Sequence, residues 1–195
     1  MNDVKNFGLY DSTFEKSSCG VGFLTRKDGK QTHELLVKGH EALCAVPHRG
    51  GMSAEGVGDG AGVSIDLSVT FFSRVVGASL VPGEFGVGNF FLPNDKSQHV
   101  RAKKLIDDAL KAEGMITLIT RSVDVDDSVL RPAAIKYQLP IAQWVFAAPK
   151  GIRGAALEKR IHKALLSIES EAYIDEDLDG MYPLSMSSRM QVLKG

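Results

Sequence analysis

Nucleophilic chemistry has one natural starting point in this chain, the heptapeptide Ser17-Ser18-Cys19-Gly20-Val21-Gly22-Phe23. A thiolate is a strong nucleophile, and glycines at alternate positions after it let the backbone approach a ligand closely. The residues by themselves leave a second reading open. Free cysteines are among the most buried residue types, and Cys19 would then be a small packed hydrophobe. A second constellation is His48-Arg49-Gly50-Gly51 followed by Gly58-Asp59-Gly60-Ala61-Gly62. Its alternating glycines make a tight loop whose amides can face an anion. Arg49 can clamp a carboxylate through its planar fork, or serve as an ion-pair partner within the structure. The loop is no dinucleotide fingerprint, because strand-period residues follow it where that motif needs a helix.

Other chemistry is poorly provided for. The cysteines number two, Cys19 and Cys44, and none of the five histidines (His33, His40, His48, His99, His162) stands at paired metal-ligand spacing with them. No metal site is expected. Tyr173-Ile174-Asp175-Glu176-Asp177-Leu178-Asp179-Gly180 opens like an EF-hand loop, but Met186 stands where the bidentate glutamate belongs, so a solvated acidic loop is expected. His33 and His40 are ordinary surface or half-buried histidines, and Cys44, beside an apolar helical stripe, is expected in the core. A formal net charge of -1 provides no basic field for nucleic acid. No apolar run approaches the roughly 20 residues that span a bilayer. The first residues lack the apolar core of a signal peptide, which points to the cytoplasm.

The elements that must position these residues can be read from periodicity. Residues 1–18 are polar and without period, a leader rather than part of a core. Cys19–Thr25 reads as a strand and Lys27–Lys30 as a turn. Leu35, Leu36, Gly39, Ala42, Leu43 and Val46 fall at helical spacing between a Thr32 cap and Pro47. Val63–Leu67 alternates as a strand does, and Phe85–Leu92 is strand-like between glycines. Ala102, Leu105, Ile106, Ala109 and Leu110 form a second helical stripe closed by Gly114. Met115–Arg121 and Ile141–Ala148 are apolar strands, with room for a short helix within Asp126–Tyr137. Leu157, Ile161, Leu165 and Ile168 mark a third helix, and Pro183–Leu193 reads as one final strand. Trp144 and its apolar neighbours are expected to pack within their strand. Strands and helices mix without a βαβ rhythm, which favours an α+β fold with partly antiparallel sheets.

Taken together, the Cys-Gly-Val-Gly strand, the helix, His48-Arg49-Gly50 and the Gly58–Gly62 loop resemble the opening of class II glutamine amidotransferases. Within that family the likeness is to the glutamate synthase large subunit. It includes Gly8-Leu9-Tyr10-Asp11, Phe14-Glu15, Thr32-His33-Glu34, Glu41-Ala42-Leu43, Pro82 to Gly88, Phe91-Leu92-Pro93, Lys111 to Gly114, and Leu184-Ser185 through Ser187-Ser188-Arg189 to Lys194-Gly195. The resemblance implies a four-layer αββα N-terminal nucleophile hydrolase fold, present here as an incomplete copy. It implies that residues 1–18 are a leader cleaved between Ser18 and Cys19, and that residues 19–195 are the N-terminal part of the amidotransferase domain. Cys19 would be the nucleophile, its freed α-amino group the base, and Gly20, Arg49, Gly50, Asp59 and Gly60 would shape the glutamine pocket. Glutamine would be hydrolysed to glutamate and ammonia through a cysteinyl thioester. In the full enzyme the ammonia would pass to 2-oxoglutarate at a site using FMN and an iron-sulfur cluster, neither bound by this segment. Implied partners are glutamine, the remaining synthase polypeptide or a separate synthase subunit, and an electron-donor subunit or ferredoxin.

The chain departs from the family pattern at its substrate ligands. Class II domains hold the glutamine carboxylate with an Arg-Phe-Ser or Arg-Tyr-Ser element and build the oxyanion hole from Asn-Gly. The 195 residues contain no Arg-Phe, Arg-Tyr or Asn-Gly pair. Two other readings follow: a glutaminase-like subunit of a related synthase, such as one making N-methylglutamate, or a non-catalytic module that binds a partner subunit.

Overall fold

The computed structural model describes residues 21–45, 60–178 and 180–194. The chain divides into two units, Met1–Ala61 and Gly62–Gly195.

The described part of the first unit is a turn and a helix. Arg26 Nε and Nη2 donate to the two carboxylate oxygens of Asp28 at 2.9 and 2.7 Å, and the Gly29 N–H donates to Arg26 O at 3.0 Å. Helix α1 spans His33–Cys44, with Thr32 Oγ1 accepting the Leu35 N–H at 3.3 Å as its N-cap. Glu34 and Lys38 pair at 2.7 Å in the favourable i,i+4 order. The anticipated stripe is present but shallow: Leu35, Leu36, Gly39 and Leu43 are half-buried and no residue of α1 is fully buried. Two expectations are corrected here. Cys44 is exposed rather than in a core, since it lies one position around the helix from Leu43, off that narrow stripe. Of the expected Cys19–Thr25 strand, Cys19 and Gly20 lie outside the described residues, and Val21–Thr25 form no strand, having no ladder partner among the described residues; Val21 and Phe23 are 95% and 91% exposed.

The second unit carries β1 (Gly62–Asp66), α2 (Val69–Val76), β2 (Phe85–Phe91), α3 (Lys96–Ala112), β3 (Ile116–Ser122), α4 (Pro132–Ile135), β4 (Ile141–Ala147), α5 (Ala155–Ile174), β5 (Tyr182–Ser187) and β6 (Met190–Lys194). A four-stranded sheet has the order β3-β4-β2-β5, and β1 pairs with β6 in a separate two-stranded sheet. Among the described residues every pairing is antiparallel, so the fold there is α+β with antiparallel sheets. The segment expected as one final strand is two. The chain turns at Ser188-Arg189, leaves the four-stranded sheet after β5 and joins the other sheet as β6.

Helix ends are fixed by side-chain chemistry. Asp95 caps α3 by accepting the N–H groups of Ser97 and Gln98 at 2.8 and 3.1 Å, and Gly114, at φ +75°, supplies the left-handed residue just past its end. Helix α2 forms from a run rich in β-branched residues because Ser68 Oγ caps it at the Phe71 N–H (3.3 Å) and Gly77 closes it at φ +73°.

The strands β2 and β4 are covered on both faces. On one face Phe90, Trp144 and Phe146 are fully buried with Ile106 and Leu110 of α3 and Leu157, Ile161 and Ile168 of α5. Each such side chain contributes about 1.5–3 kcal/mol relative to exposure. Trp144 meets Phe90 edge-on at 5.3 Å and donates its Nε1–H to Asp107 Oδ1 at 2.9 Å, which satisfies the polar end of a buried indole. Gly86 keeps this layer thin: a Cβ there would stand 2.5 Å from Phe146 Cε2. The opposite face holds a smaller cluster of Phe85, Val87 and Val145 with Leu67 and Phe72.

Candidate functional site

Two strands that read as continuous apolar runs each carry one polar residue in the middle, Asn89 in β2 and Gln143 in β4. The antiparallel register sets them directly opposite one another, so both side chains leave the same face of the sheet. That face looks toward β6. Gln143 Nε2 donates to Asn89 Oδ1 at 2.8 Å and to Gln191 Oε1 at 3.2 Å, while Asn89 Nδ2 donates to the Val192 carbonyl at 3.1 Å. The Gln143 carbonyl oxygen accepts Arg121 Nε–H at 2.9 Å. Asn89 and Gln143 are each 3% exposed, and among the described residues no buried side-chain polar atom lacks a partner. A buried network satisfied in this way fixes one register between two sheets, since a slip would orphan several donors at once. It contains no nucleophile, and what it does is hold the two sheets in register. Sequence reasoning missed it, although a lone amide inside an apolar strand was the available signal.

A second polar tie holds the passage between the sheets. Glu158, in the first turn of α5, accepts the Ser188 N–H at 2.7 Å and the hydroxyls of Ser187 and Ser188. The acids expected in a solvated loop are partly committed: Arg101 Nη2 reaches Asp175 Oδ2 at 2.5 Å and Nη1 reaches Asp177 Oδ2 at 3.0 Å. Among the described residues no group of three or more His, Cys, Asp and Glu converges to hold a metal ion. Tyr182 stacks on Phe91 at 4.5 Å, and burial pushes its phenol above the ordinary value.

Of the residues singled out from sequence, Ser18, Cys19, Gly20, Arg49, Gly50 and Asp59 lie outside the described residues. Gly60 is described. It is exposed and adopts φ +75°, a left-handed conformation that favours glycine, two residues before β1 begins. The described geometry therefore places Gly60 at the mouth of β1 and brings none of the anticipated site residues together with another. His40 Nε2 and the exposed Cys44 Sγ stand 3.7 Å apart on α1.

The sequence profile of the family described as Glutamine amidotransferases class-II matches residues 19–195. The chain belongs to the class-II glutamine amidotransferases. The match of this amidotransferase begins at Cys19 and takes in the Arg49, Gly58–Gly62, Asn89 and Gln143 regions alike. Relatives include the glutamate synthase [NADPH] large chain of Bacillus subtilis, 30% identical over 193 residues, covering 96% of this chain and 12% of that protein. The ferredoxin-dependent glutamate synthase 2 of Synechocystis is 32% identical over 186 residues, covering 93% of this chain and 12% of that one. The glutamate synthase [NADH] of Saccharomyces cerevisiae is 32% identical over 145 residues, 70% of this chain and 7% of the yeast protein. The amidotransferase sequence thus spans about a tenth of the length of these relatives. Among the described residues no helix is long and apolar enough to cross a membrane.

Proposed function

We propose that this chain is the glutamine-hydrolysing part of a glutamate-synthase-type enzyme, with Cys19 as nucleophile once residues 1–18 have been removed. The observation that carries this reading is that the family match begins at Cys19, the first cysteine of the chain, directly after the polar leader. The α–β–β layering of the second unit, with α3 and α5 on one face of the four-stranded sheet and β6 on the other, suits three of the four layers of an N-terminal nucleophile hydrolase.

In this mechanism cleavage of the Ser18–Cys19 peptide bond turns an amide nitrogen into an amine of ordinary pKa about 7.7–8.0. That amine accepts the thiol proton, directly or through water, and the thiolate attacks the side-chain carbonyl carbon of glutamine. The carbon–nitrogen bond breaks as the proton passes to the leaving nitrogen, which departs as ammonia. Water then attacks the γ-glutamyl thioester, the carbon–sulfur bond breaks, and glutamate and the free thiol return. Arg49 and the Gly58–Gly62 loop, with Gly20, Gly50, Asp59 and Gly60, shape the pocket beside the sulfur. In a longer cytoplasmic enzyme the ammonia would pass to 2-oxoglutarate, and FMN and an iron-sulfur cluster, served by an electron-donor subunit or ferredoxin, would supply the redox chemistry. The donor set of this chain does not fit such a cluster: its only two cysteines are Cys19 and Cys44. The cluster belongs to other parts of the enzyme.

Intact mass of protein from its native host, together with ammonia release from glutamine, tests this reading. The mature enzyme should begin at Cys19, and Cys19→Ala should abolish glutamine-dependent turnover. An active enzyme that retains Met1 would refute it.

A second reading has its own observation. The 195 residues offer no Arg-Phe, Arg-Tyr or Asn-Gly pair for the glutamine carboxylate and the oxyanion. On that reading the chain is a non-catalytic or partner-dependent amidotransferase-like subunit, as in an N-methylglutamate synthase. One missing oxyanion donor costs about 10²–10³ in kcat. The chain trimmed to Cys19 should then release no measurable ammonia alone and gain activity only with a second polypeptide.

A further inference from the structure

Arg121 stands near the end of β3 with its charge unanswered. Its Nε–H donates to Gln143 Oε1 at 2.9 Å, and its guanidinium carbon lies 5.7 Å from the centroid of the Phe71 ring. Gln143 is itself held by Asn89 and Gln191, so the guanidinium is fixed at its root by a buried chain of amides and on one side by an aromatic ring. An amide supplies a dipole and no countercharge. Arg26, by contrast, pairs with Asp28, and Arg101 bridges Asp175 and Asp177. Among the described residues no carboxylate stands within ion-pair distance of Arg121, and its two Nη groups have no protein acceptor.

The guanidinium is half-buried, and its two Nη groups keep their donor capacity for an anion. The four free N–H bonds of the Nη groups lie in one plane, the geometry that receives a carboxylate through two parallel hydrogen bonds. Phe71 is 46% exposed, so its ring offers an apolar floor beside the guanidinium. We infer that the terminal nitrogens of Arg121, backed by Gln143 and flanked by Phe71, form a carboxylate-binding subsite on the outer rim of β3. A single monovalent cation over an apolar ring matches a carboxylate carried on a methylene group better than a dianionic phosphate. The carboxylate comes either from a free small acid or from an acidic side chain of another polypeptide. The subsite does not depend on Cys19 or on glutamine hydrolysis.

The test follows the Gln143 side-chain carboxamide resonances, which border Arg121 and are present in wild type and variant alike, by NMR during titration of the whole protein with acetate, with a capped tripeptide carrying one glutamate, with inorganic phosphate, and with chloride at matched ionic strength. Acetate and the peptide should shift them saturably, and Arg121→Lys, which keeps the charge and loses the fork, should weaken peptide binding about tenfold. Tighter binding of the peptide than of acetate assigns the subsite to a polypeptide acid; equal binding assigns it to a free small acid. Shifts that never saturate, that chloride reproduces, or that phosphate produces at lower concentration than either carboxylate overturn the inference. Should Arg121→Lys fail to fold, the wild-type titrations decide by themselves.

Discussion

The Ser188 backbone N–H donates to Glu158 Oε1 at 2.7 Å, and this contact ties the first turn of α5 to the point where the chain leaves one sheet for the other. Ser188 is buried, so its N–H has no water to fall back on. Glu158→Ala should destabilise the fold by about 1–3 kcal/mol, and Glu158→Gln by less, since an amide oxygen still accepts. Urea denaturation checks this; equal midpoints for wild type and Glu158→Ala would mean the tie contributes nothing.

Gly86 is a matter of space. An alanine methyl there would stand 2.5 Å from the Phe146 ring and 3.2 Å from Ile161 Cδ1, and both side chains are buried with nowhere to swing. Gly86→Ala should cost about 1–3 kcal/mol. The thermal midpoint should fall, and Gly86→Ala combined with Phe146→Leu should recover part of the loss.

Gln143→Leu roughly conserves volume while removing the carbonyl acceptor and the NH2 donor of one carboxamide. It leaves Asn89 Oδ1, Gln191 Oε1 and Arg121 Nε each without a partner, at about 1–3 kcal/mol per orphaned buried group. A double-mutant cycle with Asn89→Leu should show coupling, because replacing both amides removes the Asn89 Oδ1 orphan along with the Asn89–Gln143 bond. Additive losses would show that the amides act independently.

Asp95 carries a pH dependence. The Ser97 hydroxyl, followed by the N–H groups of Gln98 and Ser97, holds its carboxyl below the usual range. A depressed native pKa means that the cap stabilises fully above the unfolded value of about 3.9 and fades as pH falls through the lower native value. The Ser97 and Gln98 amide resonances should therefore stay constant down to about pH 4 and move below it. In Asp95→Asn, which still caps but does not titrate, they should not move.

Cys19 and Cys44 should behave oppositely. Cys44 is exposed, so it should react readily with a thiol reagent in the folded protein. Modification or Cys44→Ala should leave glutamine-dependent activity of the full enzyme intact, whereas Cys19→Ala should remove it. Loss of activity on blocking Cys44 alone, with the fold retained, would reverse the assignment.

Much of the framework was legible because periodicity reports burial. The α3 stripe of Ala102, Ile106, Ala109 and Leu110 and the α5 stripe of Leu157, Ile161 and Ile168 are buried as their spacing requires, and Thr32 caps α1 as expected. Helix α2 was missed because Val69, Val75 and Val76 carry β propensity; the decisive signals were Ser68 and Gly77 at its two ends. The β5–β6 split was hidden because weak alternation runs through Ser187-Ser188-Arg189, and only tertiary hydrogen bonds to Glu158 make a turn there. Arg121, Asn89, Gln143 and Gln191 are far apart in sequence, so nothing local announces that they meet. The anticipated residues Cys19, Arg49, Gly50 and Asp59 lie outside the described residues, and Gly60 alone carries the site reading into the structure.

The pairing of β1 with β6, from Gly62 opposite Lys194 to Asp66 opposite Met190, has a consequence for synthesis. A ribosome delivers about 5–20 residues per second, so β1 emerges many seconds before β6, its partner strand among the described residues, exists. Through that interval its alternating face of Val63 and Ile65 and its unpaired N–H and C=O groups have no native destination, while β2, β3 and β4 can already assemble on α3. The nascent chain is thus most open to strand exchange with a neighbouring copy at its earliest strand, and a stall before Met190 prolongs that exposure.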